Sequence, residues 1–343
     1  MTKTTSSRIK WVDMAKGIAM LLVICGHTIG YSGTGASQQL IRGIIYSFHI
    51  PLFFILSGYT SKCSGSREEL FLKFKKSVKT LILPAYGLWL VILIFPGVTS
   101  KFHYLAIQIG LSGLFASAVE FTINDITVPI FGYIWFLVSL FILKNLYDLL
   151  NYILKGRFMT AVSIAVSAAG IIIGKIFFLP FTIDIAMAAM IFYHFGQLLK
   201  KRELKFSVPK LLISLLIWLG IFFFEYLTVH AYLDMASRLH SITLLSYIAA
   251  IGGSMFCIYA CMYLCECRRR IPEFIAGQLL FIGRNSMILY GIHYLDTIWF
   301  TDAAISISSQ YLQLLVRLLE DVCLFYVVVY LTNKFRTRKE NSK

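Results

Sequence analysis

Charged residues are scarce in this chain. They make up 14% of its 343 residues, whereas 58% are hydrophobic, and a soluble globular protein carries about 25% charged residues. This composition excludes water as the main solvent. Acidic residues are the rarer charged class, with 17 Asp and Glu against 32 Lys and Arg. The net charge of +15 needs no nucleic-acid partner, since cytoplasmic loops beside anionic lipid explain such an excess.

Several catalytic and nucleotide-binding motifs are also missing. The sequence has no G-x-x-x-x-G-K-[ST], G-x-G-x-x-G, H-E-x-x-H or G-x-S-x-G, which removes support for ATP-driven transport, dinucleotide chemistry, zinc proteolysis and lipase-type hydrolysis. Cys257, Cys261 and Cys265 recur every four residues without a nearby histidine. Because cysteine commonly behaves as a small buried hydrophobe, we predict no metal site.

Apolar runs of about 20 residues recur along the chain, and a helix of that length crosses about 30 Å of hydrocarbon. The sequence therefore predicts an all-α, polytopic integral membrane protein in which residues 1–343 form one transmembrane domain. Residues 101–126 are expected to be an external interfacial or re-entrant stretch, and tails of about 1–9 and 336–343 are expected to be mobile. The ten predicted spans are 11–31, 40–60, 78–97, 129–150, 158–179, 182–199, 209–229, 242–265, 278–299 and 312–333.

The lysines and arginines predict the orientation of these spans. Ten spans place both termini on one side, and the six segments on that side hold 25 of the 32 basic residues. An asymmetry of this size predicts that both termini are cytoplasmic. The segments are the N-terminus, 61–80, 144–157, 199–210, 266–272 and the C-terminal tail.

Ionisable side chains inside the first span indicate a functional site, because they are costly in a membrane. Lys16 and His27 lie eleven residues apart, which puts them within about 20° of one helix face and about 16 Å apart along the axis. Asp13 lies near the same face. One interpretation is structural: His27 donates a helix–helix hydrogen bond, while Asp13 and Lys16 form an interfacial ion pair. The other is a catalytic seam.

Two further spans carry histidines. His49 precedes Pro51, whose missing N–H predicts a broken helix and a water-accessible cavity beside the histidine. In the ninth span, Ser286 and His293 share a helix face and Asn285 is adjacent. His293 is predicted to lie at a depth similar to that of His27. Each histidine has the alternative of a packing role.

A cluster of lysines precedes the third span. It can grip phosphates, or it can simply anchor the chain on the cytoplasmic side. Its members are Lys73, Lys75, Lys76 and Lys79.

Four stretches resemble the landmarks of the acyltransferase 3 family of membrane O-acyltransferases, which includes fucose 4-O-acetylase-like proteins. They are WVDMAKGIAMLLVICGH, SFHIPLFFILSGY, IWFLVSLF and FIGRNSMILYGIH, and the resemblance covers nearly the whole chain. It implies acyl transfer, usually of acetyl from acetyl-CoA, to a hydroxyl of a cell-envelope carbohydrate or its lipid-linked precursor. The expected location is a bacterial plasma membrane, with membrane lipid as a partner.

The resemblance also assigns roles. The catalytic histidine of the family maps onto His27, and the arginine that often precedes it by eleven residues is Lys16 here. The charge is kept and the two-pronged guanidinium is lost. We expect Asp13 to hold Lys16, His27 to act as general base or acyl carrier, and the four lysines to bind acyl-CoA.

The remaining polar residues are expected to bind substrate. They would orient the acceptor or stabilise the oxyanion, and they are His49, Asn285, Ser286 and His293.

A proton-coupled transporter or flippase is the alternative function. Ten spans, a proline-broken helix and buried histidines suit such a carrier as well. A carrier does not catalyse hydrolysis or exchange of labelled acetyl-CoA, so that assay separates the two classes.

Overall fold

The computed structural model describes residues 8–32, 35–94, 118–123, 126–131, 134–267, 270–296, 307 and 309–341. The described chain is overwhelmingly helical. Its elements in order are α1 Lys10–Ser32, α2 Ala36–Tyr46, α3 His49–Thr60, α4 Arg67–Ser77, a π-helical turn Val78–Ile82, α5 Leu83–Ile94, β1 Ala118–Ile123, β2 Ile126–Phe131, α6 Trp135–Ile153, α7 Met159–Ile176, a 3₁₀ turn Pro180–Thr182, α8 Ile183–Ala188, α9 Met190–Lys201, α10 Val208–Val229, β3 Leu233–Asp234, β4 Leu239–His240, α11 Thr243–Glu266, α12 Arg270–Arg284, α13 Ser286–Asp296 and α14 Gln310–Asn341.

Within the described residues, six helical stretches are long and apolar enough to cross a membrane, and a seventh forms if 180–188 and 190–201 count as one span bent by 50°. The protein is therefore a multi-pass membrane protein. The count of ten spans and the cytoplasmic termini stay predictions. The six stretches are Lys10–Ile29, Ala36–Thr60, Trp135–Ile153, Met159–Ile176, Val208–Val229 and Thr243–Glu266.

Three predicted spans fall on helices outside this group. The spans at 78–97 and 278–299 fall largely on α5 and α13, which have only 12 and 11 residues by themselves. The span at 312–333 falls on α14, which has 32 residues and a mixed, charged sequence. A break in the helix or a cluster of charges, rather than a lack of helix, distinguishes these three.

The start of the fourth predicted span needs correction, whereas the expectation that 101–126 is an external interfacial or re-entrant stretch stays a prediction. Residues 118–123 form a strand that pairs antiparallel with 126–131, so the fourth predicted span begins as a strand and becomes helical only at Trp135. This hairpin is rich in Thr, Ile and Val, which favour strands. Residues 95–117 lie outside the described residues. Helix α14 continues to Asn341, and the expectation that the tail of about 336–343 is mobile stays a prediction.

Two compact units divide the chain. The first comprises Met1–His49, Lys205–Thr228 and Tyr247–Lys343, and the second comprises Ile50–Leu204 and Val229–Ser246. The prediction of a single domain is not tested by this division.

In the first unit, α1 packs against α12, α13 and α14. The approach of α1 to α12 is so close that a Cβ placed on Gly283 would lie 1.6 Å from the backbone carbonyl oxygen of Asp13. Small residues permit such backbone contact between membrane helices. This contact fixes the position of α1, which carries the first-span histidine.

The predicted break in the second span occurs in the first unit. Helix α2 ends at Tyr46 and α3 begins at His49, with Pro51 in its first turn, where a missing N–H costs little. The indole of Trp218 donates a hydrogen bond to the Ser47 hydroxyl at 2.8 Å, and the Trp218 ring packs edge-on against Phe48. Helix α10 thus packs over the residues at the break.

In the second unit, α6, α7, α8 and α9 pack against one another. The loop that precedes α4 is tied to α6, because both the backbone N–H and the hydroxyl of Ser64 donate to the Asp148 carboxylate at 2.7 and 2.6 Å. Helix α4 begins at a capping residue, with Ser66 accepting from the Glu69 N–H at 3.2 Å. These bonds order the loop between α3 and α4.

Candidate active site

A pair of histidines from two helices forms the centre of the site. His27 lies on α1 and His293 on α13, and their Nδ1 and Nε2 atoms are 3.1 Å apart. The two rings stack with centroids 5.2 Å apart and an angle of 26° between their planes. His293 is buried, whereas His27 is half-buried. The prediction that these two histidines lie at similar depth is consistent with this direct contact.

Two carboxylates surround the other nitrogen of His293. Its Nδ1 lies 3.1 Å from Asp296 Oδ2 and 2.9 Å from Asp321 Oδ2. Both carboxylates are fully buried. Asp296 comes from the same helix, three residues on, and Asp321 comes from α14. Such a setting stabilises positive charge on the imidazole.

Arg317 of α14 fixes one of these carboxylates. Its Nε and one terminal nitrogen donate to the two oxygens of Asp296 at 2.6 and 2.5 Å. This two-pronged geometry is the one that a guanidinium makes with a carboxylate. It orients Asp296 so that the same Oδ2 also faces His293.

The contacts determine where the protons lie. Carboxylates only accept hydrogen bonds, so Nδ1 of His293 must carry a proton. When His293 is neutral, its Nε2 is an acceptor, and Nδ1 of His27 donates to it. Nε2 of His27 is then unprotonated, and it makes no hydrogen bond with the residues that the structure describes. A chain of two imidazoles thus ends in a free basic nitrogen.

The predicted pair of Asp13 and Lys16 is not formed. The ion-pair partner of Asp13 is Arg284 of α12, with Nε 3.6 Å from Oδ2, and no hydrogen bond or ion pair joins Asp13 to Lys16 within the described chain. The close packing of α1 on α12 explains this pairing, since it brings the Arg284 side chain to the N-terminal end of α1. Lys16 is half-buried and lies three turns from His27.

The other predicted acceptor-binding residues do not join the histidine pair by hydrogen bonds. His49 is buried, and its Nδ1 donates to the backbone carbonyl of Ile45 at 2.9 Å, as the packing alternative expected. The Asn285 amide donates to the carbonyl of Phe281 at 2.9 Å. Ser286 is half-buried at the start of α13.

The lysine cluster belongs to the second unit and its members differ. Lys73 donates to the backbone carbonyl of Lys62 at 2.6 Å and pairs with Asp148 at 3.4 Å. Lys75 lies over the ring of Phe71 at 4.3 Å. Lys75, Lys76 and Lys79 are exposed. Lys73 therefore has a structural task, and the other three present their charge to solvent.

Comparison with known proteins decides the family. The acyltransferase 3 model, described as an acyltransferase domain, matches residues 9–332. The chain belongs to the acyltransferase 3 family. It is also similar to nodulation protein NolL of Mesorhizobium japonicum, with 36% identity over 85 residues, 23% of this chain and 22% of that protein. The match therefore spans about a fifth of the relative's length. No solved structure matches the chain.

Membership of the acyltransferase 3 family makes the protein a membrane acyltransferase. The histidine pair lies inside the matched region, as do both buried carboxylates and Arg317. The site therefore lies within the acyltransferase domain itself.

The acidic side of this candidate site has donor atoms for a metal ion. Ligand atoms of His293, Asp296 and Asp321 all lie within 4.8 Å of one another. The guanidinium of Arg317 already holds both oxygens of Asp296, and its fixed positive charge repels a cation at the same carboxylate. The donor set therefore fits a protonated imidazole better than a metal ion. That no metal takes part stays a prediction.

Sequence reasoning missed three residues of the acyltransferase site. They are Asp296, Asp321 and Arg317, and all three are at most 3% exposed. A signal was present, because each of these charges stands in or beside an apolar run where ionisable groups are costly. The i, i+3 spacing of His293 and Asp296 also placed them on one helix face.

Proposed function

We propose that this protein is a membrane O-acetyltransferase. It transfers an acetyl group from acetyl-CoA to a hydroxyl of a cell-envelope carbohydrate or of its lipid-linked precursor, in a bacterial plasma membrane. The observation that supports this function is the chain from the free Nε2 of His27 through His293 to two buried carboxylates. Membership of an acyltransferase family supplies the reaction class.

The first step is proton removal from the acceptor. A sugar hydroxyl is too weak a nucleophile to attack a thioester unaided, and a positioned histidine contributes about 10²–10⁴ in rate as general base. Nε2 of His27 takes the hydroxyl proton while the oxygen attacks the thioester carbonyl carbon. Nδ1 of His27 passes its own proton to Nε2 of His293. The positive charge then rests on His293, between Asp296 and Asp321.

The second step reverses the proton path. The tetrahedral intermediate collapses, the carbon–sulfur bond breaks, and the thiolate leaves as the thiol with the proton returned through His27 Nε2. The products are an O-acetyl ester and free coenzyme A. The arrangement extends the logic of a nucleophile–histidine–aspartate triad by one imidazole. Arg317 has a positioning role, since it holds Asp296 against His293.

Other residues have supporting roles in this proposal. The hydroxyl of Ser286 is a candidate donor to the acceptor or the oxyanion. The exposed Lys75, Lys76 and Lys79 would attract the phosphates of the donor, and Lys16 would supply a cation near the cytoplasmic end of α1. His49 and Asn285 use their donors on backbone carbonyls, so they would act by supporting the fold around the site.

The test is an acetyl-transfer assay with purified protein and labelled acetyl-CoA. We expect His27→Asn to lower transfer by about 10²-fold or more and Lys16→Ala to lower it less. His230→Asn is the matched control, because His230 is an exposed loop histidine with a positive φ that asparagine tolerates. Expression and monodispersity must match. Full activity of the His27 variant would refute the mechanism, and mass spectrometry of envelope glycans with and without the protein identifies the acceptor.

A further inference from the structure

A cavity of about 180 Å³ lies in the second unit, and the proposed reaction leaves it unassigned. Helices α6, α7 and α9 form most of its wall, and the loop before α4 closes one side. It lies entirely within one compact unit. Its polar lining includes Cys63, Tyr147, Thr160, His194, Gln197 and Lys201.

The base of the cavity is a fixed hydrogen-bonded group. The two ring nitrogens of His194 contact the Tyr147 hydroxyl at 2.8 Å and the Thr160 hydroxyl at 2.9 Å. Tyr147 and His194 are both less than 5% exposed. One nitrogen of a neutral imidazole donates and the other accepts, so one hydroxyl accepts from the ring and keeps its own proton. That proton is available to an acceptor atom in the cavity.

The rim of the cavity is positively charged. Lys201 lines it and has no hydrogen bond or ion pair with the described part of the chain. Lys73 and Lys200 are near enough to act electrostatically on Cys63. Asp148 is the carboxylate that acts on the same thiol, and it already accepts hydrogen bonds from Ser64 and pairs with Lys73. An anion in the cavity would therefore meet unbalanced positive charge.

The size limits what can enter. A volume of about 180 Å³ equals roughly six water molecules in the liquid, and whole small-molecule sites occupy about 300–1,000 Å³. The cavity therefore takes one group of a larger ligand. A phosphate ester has the oxygens that a hydroxyl donor and a lysine recognise together.

The lining residues also indicate the side from which a ligand enters. Cys63, Tyr147 and Lys201 belong to the three segments 61–80, 144–157 and 199–210, which the distribution of basic residues predicts to be cytoplasmic. A thiol-based function is disfavoured, because burial and then Asp148 raise the pKa of Cys63, which keeps it a protonated, weakly reactive thiol.

We infer that this cavity binds the phosphate group of a ligand that enters from the cytoplasmic side. Two sources share that chemistry. One is the phosphorylated nucleotide end of coenzyme A, and this source rests on the proposed function. The other is the headgroup of an anionic lipid.

The experiment measures binding of coenzyme A to the full-length protein in nanodiscs of neutral lipid. Lys201→Gln and Thr160→Val should each weaken binding about five- to tenfold. Lys205→Gln is the matched control, since it removes the same charge from a nearby exposed lysine outside the cavity, and its binding should equal that of the wild type. His27→Asn should lower transfer by about 10²-fold or more and leave binding intact, which separates the two proposals.

A second measurement needs no variant. Coenzyme A in the cavity should slow alkylation of Cys63 at mildly alkaline pH, read by peptide mass spectrometry, while Cys267 reacts at an unchanged rate. If coenzyme A does not protect Cys63, nanodiscs that contain phosphatidylglycerol should slow its alkylation instead, and Lys201→Gln should remove that protection. This result would support the phosphate site with an anionic lipid as its ligand. The inference would be overturned if neither coenzyme A nor phosphatidylglycerol protected Cys63 and if Lys201→Gln and Lys205→Gln bound coenzyme A with equal affinity.

Discussion

Each of the two units contains a buried aspartate–arginine pair, and the two pairs differ in what lies beyond them. In the second unit, Arg238 donates to both oxygens of Asp184 at 2.7 and 3.3 Å. Arg238 also contacts the Phe178 ring at 4.3 Å and the Ala236 carbonyl at 3.1 Å. Arg238 lies in the β3–β4 hairpin and Asp184 lies on α8, so this ion pair attaches the hairpin to the helix.

In the first unit, the pair of Asp296 and Arg317 has similar burial and geometry. Its carboxylate is shared, however, because Asp296 Oδ2 also faces His293, which contacts His27. Burial of an ion pair by itself is weak evidence for function or for stability. What distinguishes the first pair is its connection to two imidazoles in series, because its carboxylate contacts His293 and His293 contacts the half-buried His27.

The comparison predicts opposite outcomes for two Asp→Asn variants, and this is the largest expected effect. Asp321→Asn should lower transfer by about 10–10³-fold, less than loss of a triad aspartate because Asp296 still faces His293. Its folding cost should be small, since Asp321 Oδ1 already lacks a partner among the described residues. Asp184→Asn should cost about 3–5 kcal/mol, because Arg238 is left buried without its counterion.

Two measurements check these outcomes: thermal unfolding of both variants in the same detergent, and the specific activity of the folded fraction of each. The opposite result, in which Asp321→Asn unfolds the protein and Asp184→Asn inactivates a stable protein, would contradict the assignment of the first pair to the active site and of the second to the fold.

Replacing each arginine by lysine should sharpen the comparison with a smaller effect. Arg317→Lys keeps the charge and loses the two-pronged contact, so Asp296 becomes less well oriented and kcat should fall by about tenfold. KM should stay nearly constant, because Arg317 contacts no substrate in the proposed mechanism. Arg238→Lys should leave kcat unchanged and lower the melting temperature. A changed KM with an unchanged kcat in Arg317→Lys would contradict the positioning role.

The smallest expected effect concerns pH and the structural pair. Burial, followed by repulsion from Lys175, lowers the pKa of His240 to about 4, although Asp184 opposes the shift and Arg238 adds to it. An unfolded histidine has a pKa of about 6.5. Between these values the unfolded chain binds a proton that the folded chain does not, so stability falls as pH decreases from about 6.5 towards 4. The loss is at most about 3 kcal/mol.

Melting temperatures measured from about pH 7.5 to 4.5 check this dependence. His240→Asn should have a flatter profile over that range than the wild type. Parallel profiles would show that another group causes the loss of stability.

Much of the fold could be predicted because the signals are local. Helices cover most of the described part of every predicted span, since hydrophobic runs and helix periodicity depend on neighbours in sequence. The break near Pro51 was predicted from its missing N–H. The start of α6 was misplaced by six residues, because Pro129 and its β-branched neighbours are apolar enough to read as a span and yet pair as a strand.

The candidate site was predictable only in part. Composition, spacing and motifs by themselves determined the membrane class, the family and the choice of His27 and His293. Tertiary structure decided that Asp13 pairs with Arg284, that Asp321 contacts His293 and that Arg317 holds Asp296. The reason is physical: spacing within one helix fixes which side chains share a face, whereas the pairing and rotation of α1, α13 and α14 depend on packing between residues distant in sequence.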